Sequence, residues 1–191
     1  MKYYLDITLL PDAETSLGFL WHKVYQQVHI ALVENKVAKN QSEVAVSFPE
    51  YGSKFPLGAK LRLLANTKEK LELLNVGKWL KRLTDYVHCT SIKDVPDTVS
   101  SFTCFNRFQV APNKERIARR RVKRHGGTLD EALAYFENYE EHLSKLPFIN
   151  MNSLSESKKF KLFVNKIDVS GQCNGDFDCY GLSKVATVPL F

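Results

Sequence analysis

The chain is short of everything that marks a secreted, membrane-spanning or metal-loaded protein. No stretch of its 191 residues comes near the roughly 20 consecutive apolar positions that a membrane span needs. Its four cysteines, Cys89, Cys104, Cys173 and Cys179, include no C-x-x-C pair, and the N-terminal residues do not read as a secretory signal. Free thiols and a reducing, cytoplasmic setting are the expectation. Cys173 and Cys179 sit close enough to bring zinc to mind, but no second ligand pair of suitable spacing accompanies them. Acids with metal-ligand spacing are missing too: Glu140, Glu141 and His142 are consecutive and would point in different directions on a helix. No metal and no other cofactor is expected, and neither an internal repeat nor a low-complexity tail is present.

What the chain does have is a charge excess confined to one place. Residues 114–125 read KERIARRRVKRH and hold seven of the 27 Lys and Arg against one of the 21 acids. That stretch carries a net +6, which is also the net of the whole chain, so the remaining 20 basic and 20 acidic residues cancel. Such a distribution is a local footprint for a polyanion and not a generally basic surface.

The apolar pattern predicts an α+β protein. Residues 2–9 read as a strand ended by Pro11 and Asp12, and Leu17, Leu20, Val24, Val28 and Ala31 then recur at helical spacing over 14–35. Strands follow at 44–48 and 60–65, Thr67 starts a helical stretch to Leu83 with a possible break at Gly77, and 87–92 gives a fourth strand. The order βαββαβ is the ferredoxin-like, RRM-like arrangement, which many unrelated functions share. Asp94 to Pro96 marks the expected boundary between a domain of residues 1–94 and a distinct C-terminal α+β domain of residues 95–191. The second half should open with a strand over 101–110, whose period of two places Arg107 and Gln109 on one face with Thr103 and Phe105. A basic helix at about 113–125, closed by Gly126 and Gly127, comes next. An acidic helix from Thr128 to about Leu146 and short strands at 147–151, 159–166 and 184–190 complete the chain.

On a helix, Arg116, Arg119, Arg120, Lys123 and Arg124 fall within an arc of about 140°, backed by Ala118 and Val122. Charges pairing with Asp130 and Glu131 on the next helix would be the ordinary reading. The small apolar back offers little packing, however, and that many cations side by side call for an external anion, with nucleic acid the favoured one. Double-stranded RNA suits an arginine-rich face, because guanidinium forks grip phosphate bidentately. Arg107 and Gln109 are residue types that read guanine and adenine edges, although a polar pair on a solvent face is the commoner meaning of such a strand. Any of His22, His29, His88, His125 and His142 could serve as a general base. His29, beside the apolar stripe, reads on periodicity as a half-buried structural residue. Ser153 and Ser155 stand in a Ser-rich turn (NSLSES) where serine most often bonds backbone, and Tyr180 stands in a CYGLS turn.

A resemblance joins these segments. His29 within VYQQVHIALV, Arg107 and Gln109 ahead of KERIARRRVKRH, PFINMNSLSESKKFKLF, and the closing CYGLSKVATVPLF together resemble the type I-F CRISPR repeat-processing endoribonucleases. The likeness runs nearly end to end, including YLDI at the start and VSFP at 46–49. It implies a ferredoxin-like N-terminal domain and an arginine-rich helix presented to the major groove of the repeat hairpin. The activity implied is metal-free cleavage at the 3′ base of the stem, after which the mature CRISPR RNA stays bound, with other subunits of a surveillance complex as partners. Position by position, it implies His29 as catalytic base, Ser153 (or Ser155 in the same turn) holding the 2′-hydroxyl, and Tyr180 beside the histidine. Arg107 and Gln109 would read bases near the cut, Arg116, Arg119, Arg120, Lys123 and Arg124 would grip the groove, and Phe160 would stack on a nucleotide. Ala118 and Lys123 depart from the family's mostly arginine helix. Composition and charge alone also admit a non-catalytic module for structured RNA and a DNA-binding regulator.

Overall fold

A computed structural model describes residues 1–139 and 144–191 of the chain. It is an α+β protein in which both sheets are antiparallel throughout. The first sheet holds β1 (Tyr3–Leu9), β2 (Ala45–Ser47), β3 (Lys60–Ala65) and β4 (Val87–Cys89) in the order β2-β3-β1-β4, with β5 (Lys93–Asp94) also pairing β1. The second holds β6 (Phe102–Phe108), β7 (Phe148–Asn152), β8 (Lys159–Val169) and β9 (Val188–Pro189) in the order β7-β8-β6-β9. Five helices are described: α1 (Leu17–Glu34), α2 (Lys68–Leu74), α3 (Val76–Leu80), α4 (Lys114–His125) and α5 (Leu129–Tyr135). By compactness the chain divides into one unit of Met1–Phe108 with Pro147–Phe191 and a second of Gln109–Leu146.

The apolar stripe read from the sequence does bury: Leu20, Val24, Val28 and Ala31 of α1 are all fully enclosed. Ser16 starts the helix by accepting the Phe19 N–H. Trp21, Tyr25 and Phe48 pack ring on ring, and Phe48 meets Phe105 of β6 edge-on at 5.2 Å between centroids, so one core runs beneath both sheets of the first unit. On β1 and β3, cross-strand partners Asp6 and Arg62 form a buried bidentate pair at 2.6 and 2.9 Å. The same guanidinium lies over the rings of Phe191 and Tyr4.

Several elements differ from the sequence reading for local reasons. The helical stretch after Thr67 breaks at Asn75, whose backbone is left-handed (φ 44°), and Gly77 lies inside α3. The fourth strand stops at Cys89 because the Thr90 hydroxyl takes the Asp6 N–H, a ladder position that a backbone carbonyl would otherwise fill. Strand β6 ends at Phe108, so Gln109 lies beyond it and the strand face expected to carry Arg107 and Gln109 together does not extend that far. The acidic helix ends at Tyr135 rather than near Leu146. There Tyr135, Phe136 and Tyr139 pack edge to face in a turn closed by Glu137 N–H to Ala134 and Tyr139 N–H to Phe136. Glu140, Glu141 and His142 lie outside the described residues. The last strand shrinks to β9 because the Ser183 hydroxyl accepts the Val185 and Ala186 N–H groups and folds 183–186 into a turn.

Candidate active site

Within the first unit, α1 carries a line of polar side chains on a core-facing surface: His22, Gln26 and His29, spaced four and three residues apart and therefore on one face. An isolated polar group so placed is costly unless something satisfies it. Backbone supplies the partners. His22 Nδ1 donates to the Asn150 carbonyl at 2.7 Å, and His29 Nδ1 donates to the Cys179 carbonyl at 2.8 Å. Gln26 uses both ends of its amide on one residue, accepting the Asn152 N–H at 2.9 Å and donating to the Asn152 carbonyl at 3.3 Å. Asn150 and Asn152 belong to β7, an edge strand whose outward backbone groups have no strand neighbour.

The turn that meets His29 is tightly specified. Asp178 accepts the N–H groups of Tyr180 and Leu182, and the Gly181 N–H bonds the Asp178 carbonyl. Gly181 has φ 72°, and a Cβ there would stand 2.5 Å from Val46 Cγ2, so only glycine fits. Tyr25, fully buried, donates its hydroxyl to the Tyr180 carbonyl at 2.8 Å. Thus held, the Tyr180 ring stacks on the His29 imidazole with centroids 4.2 Å apart and planes within 6°. The Arg107 guanidinium from β6 stands 5.2 Å from the Tyr180 ring centre and 5.5 Å from that of Phe160, and Phe160 meets Tyr180 edge-on.

Because a carbonyl accepts from Nδ1 of His29, that nitrogen carries the proton and Nε2 keeps its lone pair. Burial lowers the pKa of this imidazole; the bond to Cys179 acts in the opposite direction, and the Arg107 charge lowers it further. The ring is thereby kept neutral near pH 7, which is the form a base requires. Burial raises the phenol pKa of Tyr180, so it stays protonated.

Of the residues read from the sequence, the structure brings His29, Tyr180, Arg107 and Phe160 into one cluster. Ser153 reaches that neighbourhood through the chain, one residue beyond the Asn152 backbone that Gln26 grips. Its hydroxyl accepts the Glu156 N–H and lies 3.4 Å from the Ser155 hydroxyl, which is exposed. Among the described residues no three His, Cys, Asp or Glu side chains gather as metal ligands; Cys173 is exposed while Cys179 is buried. Gln26 and, beyond its place among the five histidines, His22 were not singled out from the sequence, and neither were Tyr25 and Asp178. The polar line at 22, 26 and 29 within an apolar helix was the available signal for the first two.

In the second unit, α4 starts with the Asn113 side chain accepting the Arg116 N–H and ends at Gly126, φ 74°. Only Ala118 is fully buried. Arg119 pairs with Glu115 one turn earlier, and Arg121 lies over the Tyr135 ring of α5 at 3.8 Å. Among the described residues Arg116, Arg120, Lys123 and Arg124 make no ion pair and are exposed. Glu131 is engaged elsewhere, in a capping box with Thr128. Exposed Gln109 belongs to this unit.

Comparison with known proteins bears on this arrangement over its whole length. Residues 4–191 match the family model described as CRISPR-associated protein (Cas_Csy4). The chain is 36% identical over 192 residues to a protein of Escherichia coli (strain UTI89 / UPEC) named CRISPR-associated endonuclease Cas6/Csy4, with all of both chains covered. It is 33% identical over 194 residues, again with full coverage of both, to a protein of the same name from Pseudomonas aeruginosa (strain UCBPP-PA14). The resemblance read from the sequence is thus borne out, and the chain belongs to the Cas_Csy4 family of CRISPR-associated proteins.

Proposed function

We propose that this chain is a metal-independent endoribonuclease that binds the stem-loop of a CRISPR repeat RNA and cuts once at the 3′ base of the stem. The observation that carries the reading is the bond from His29 Nδ1 to the Cys179 carbonyl, which leaves Nε2 as a proton acceptor on a neutral, buried, ring-stacked imidazole. His29 Nε2 takes the proton of a ribose 2′-hydroxyl. The freed oxygen attacks the adjacent phosphorus in line, and the 5′-oxygen of the next nucleotide leaves. The products are a 2′,3′-cyclic phosphate and, once that oxygen is protonated, a 5′-hydroxyl.

Ser153 holds the 2′-hydroxyl, with Ser155 in the same turn as the alternative. Tyr180 fixes the imidazole plane, and Phe160 stacks on the nucleotide at the cut. Arg107 and Gln109 read base edges near that point. Arg116, Arg119, Arg120, Lys123 and Arg124 grip phosphates of the stem, and the charge of Arg116, Arg120, Lys123 and Arg124, which make no ion pair among the described residues, supports retention of the cut RNA. The βαββαβ order with strands arranged β2-β3-β1-β4 supports a ferredoxin-like domain over 1–94, followed by an RNA-binding domain over 95–191. Full-length likeness to CRISPR-associated endonucleases supports other subunits of a type I-F surveillance complex as partners and the cytoplasm as the site of action.

The test is His29→Ala with a repeat hairpin. Cleavage should fall by about 10² to 10⁴, the usual scale for a lost general base, while hairpin affinity stays near wild type. Wild-type cleavage should persist in excess chelator. Restoration by a divalent ion after loss in chelator would overturn the mechanism, and a folded wild-type protein that binds hairpins without cutting any would make the chain a binding module.

A further inference from the structure

A groove of about 590 Å³ at the N-terminal end of α1 is used by none of these roles except through Phe160. Gly18, Phe19 and His22 of α1 line one side, and Met151, Lys159 and Lys161 the other, with Phe160 among the lining residues. Its open apolar surface comes from Phe19, which leaves 53% of its surface exposed, whereas Met151 is fully buried. Lys23 places its ammonium 5.3 Å from the centre of that Phe19 ring. None of the lining side chains is acidic, and among the described residues Lys23, Lys159 and Lys161 make no ion pair. The space beside Gly18 is open, since a Cβ built there meets nothing within 4 Å.

A half-exposed aromatic ring beside cations that make no ion pair, with no acid among the lining residues, is the combination that holds single-stranded nucleic acid, the ring taking a base and the cations its phosphates. Lys161 also lies 4.2 Å over the Phe148 ring. Its location fits one segment of the substrate. At 1.5 Å per residue, His22 and Gly18 lie about 10 and 16 Å from His29 along α1, a span that a nucleotide or two of extended strand covers. Phe160 lies on both the groove and the ring cluster around His29, so the two are contiguous. The stem ends at the cut, so the strand able to enter a stacking groove beyond it is the unpaired one.

We propose that this groove binds the first unpaired nucleotides 3′ of the cleaved bond, a base against Phe19 and a phosphate beside Lys159 and Lys161. The inference rests on the cleavage reading above and extends it to the flanking RNA. It gives the uncut precursor a contact that the product, ending at the stem, does not make. The groove thus favours binding of substrate over retained product.

The test compares two hairpins, each with 2′-deoxyribose at the scissile nucleotide to prevent cutting: one trimmed at the cut and one with a short 3′ tail. Wild type should bind the tailed hairpin more tightly. Phe19→Ala should remove about tenfold of that preference, the scale of one base–aromatic stack, and leave trimmed-hairpin affinity unchanged. Gly18→Leu, which fills the groove with a residue that favours helix, should do the same. An abasic first tail nucleotide should reproduce the Phe19→Ala loss in the wild-type protein. Equal wild-type affinity for both hairpins overturns the inference while leaving the cleavage reading standing, and so does equal weakening of both by correctly folded variants. Failure to bind either hairpin overturns both.

Discussion

Gln26→Ala should slow cleavage far more than it weakens RNA binding, because Gln26 grips the backbone next to Ser153, the residue proposed to hold the 2′-hydroxyl. The side chain is buried and makes two hydrogen bonds, both to the backbone of Asn152. Each contributes about 0.5–1.5 kcal/mol net, so truncation costs about 2 kcal/mol of stability and, at roughly 2–4 °C per kcal/mol for a chain of this size, lowers Tm by about 6 °C. Losing the grip frees the end of β7 one residue before Ser153. A misplacement of about 1 Å in a positioning group costs on the order of 10²-fold in rate. Single-turnover cleavage at saturating protein should therefore fall by about 10- to 100-fold, while affinity for a hairpin with deoxyribose at the cut stays within about twofold. The decisive measurement is a double-mutant cycle: in a Ser153→Ala background, Gln26→Ala should cost little further rate. Losses that multiply would show that Gln26 does not act through Ser153, and a folded Gln26→Ala protein with wild-type rate would refute the positioning argument outright.

Three other outcomes follow from the geometry. The single-turnover rate should rise with pH through a midpoint below about 6.5 and then level, because burial and Arg107 lower the His29 pKa and the base acts only when unprotonated; Arg107→Gln should shift that midpoint upward, and a midpoint already above the ordinary histidine range would contradict the assignment. Asp6→Ala should destabilise the protein by about 3–5 kcal/mol in chemical denaturation, since it strands the buried Arg62 guanidinium, whereas Asp6→Ala with Arg62→Met should recover much of that loss. Arg120→Ala or Arg124→Ala should each flatten the dependence of log Kd on log salt by about 0.7–0.9, and an unchanged slope would remove α4 from the RNA interface.

How much of this was legible in the sequence depends on whether the determining partner is local. Helix α4 was readable because its charge excess and its Gly126 stop lie within one stretch, residues 114–126. Strands β1, β2 and β3 were readable as short apolar runs. By contrast, the tautomer of His29 is set by the carbonyl of Cys179, 150 residues away, and a backbone carbonyl has no signature in the sequence. Periodicity alone made His29 a half-buried structural histidine, whereas the folded chain buries it, and periodicity could not say which nitrogen is left free. The acidic helix ends short of the sequence reading where an aromatic turn closes it, a contact its charge pattern does not show.

Gln26 and β7 show the physical side of the same difference. A polar amide on a core-facing helix surface is a liability by itself, and so is an edge strand with unpaired N–H and C=O groups. Each removes the other's cost: both ends of the amide and both backbone groups of Asn152 become satisfied in one contact. The sequence displays the first liability, a glutamine between His22 and His29 in an apolar helix, and conceals the second, because only the folded sheet decides which strand is the edge. Their mutual satisfaction ties the register of α1 to that of β7. The helix that carries His29, the proposed base, is thereby fixed relative to the turn that carries Ser153, so on the proposed mechanism cleavage geometry and the cost of burying Gln26 depend on the same two hydrogen bonds.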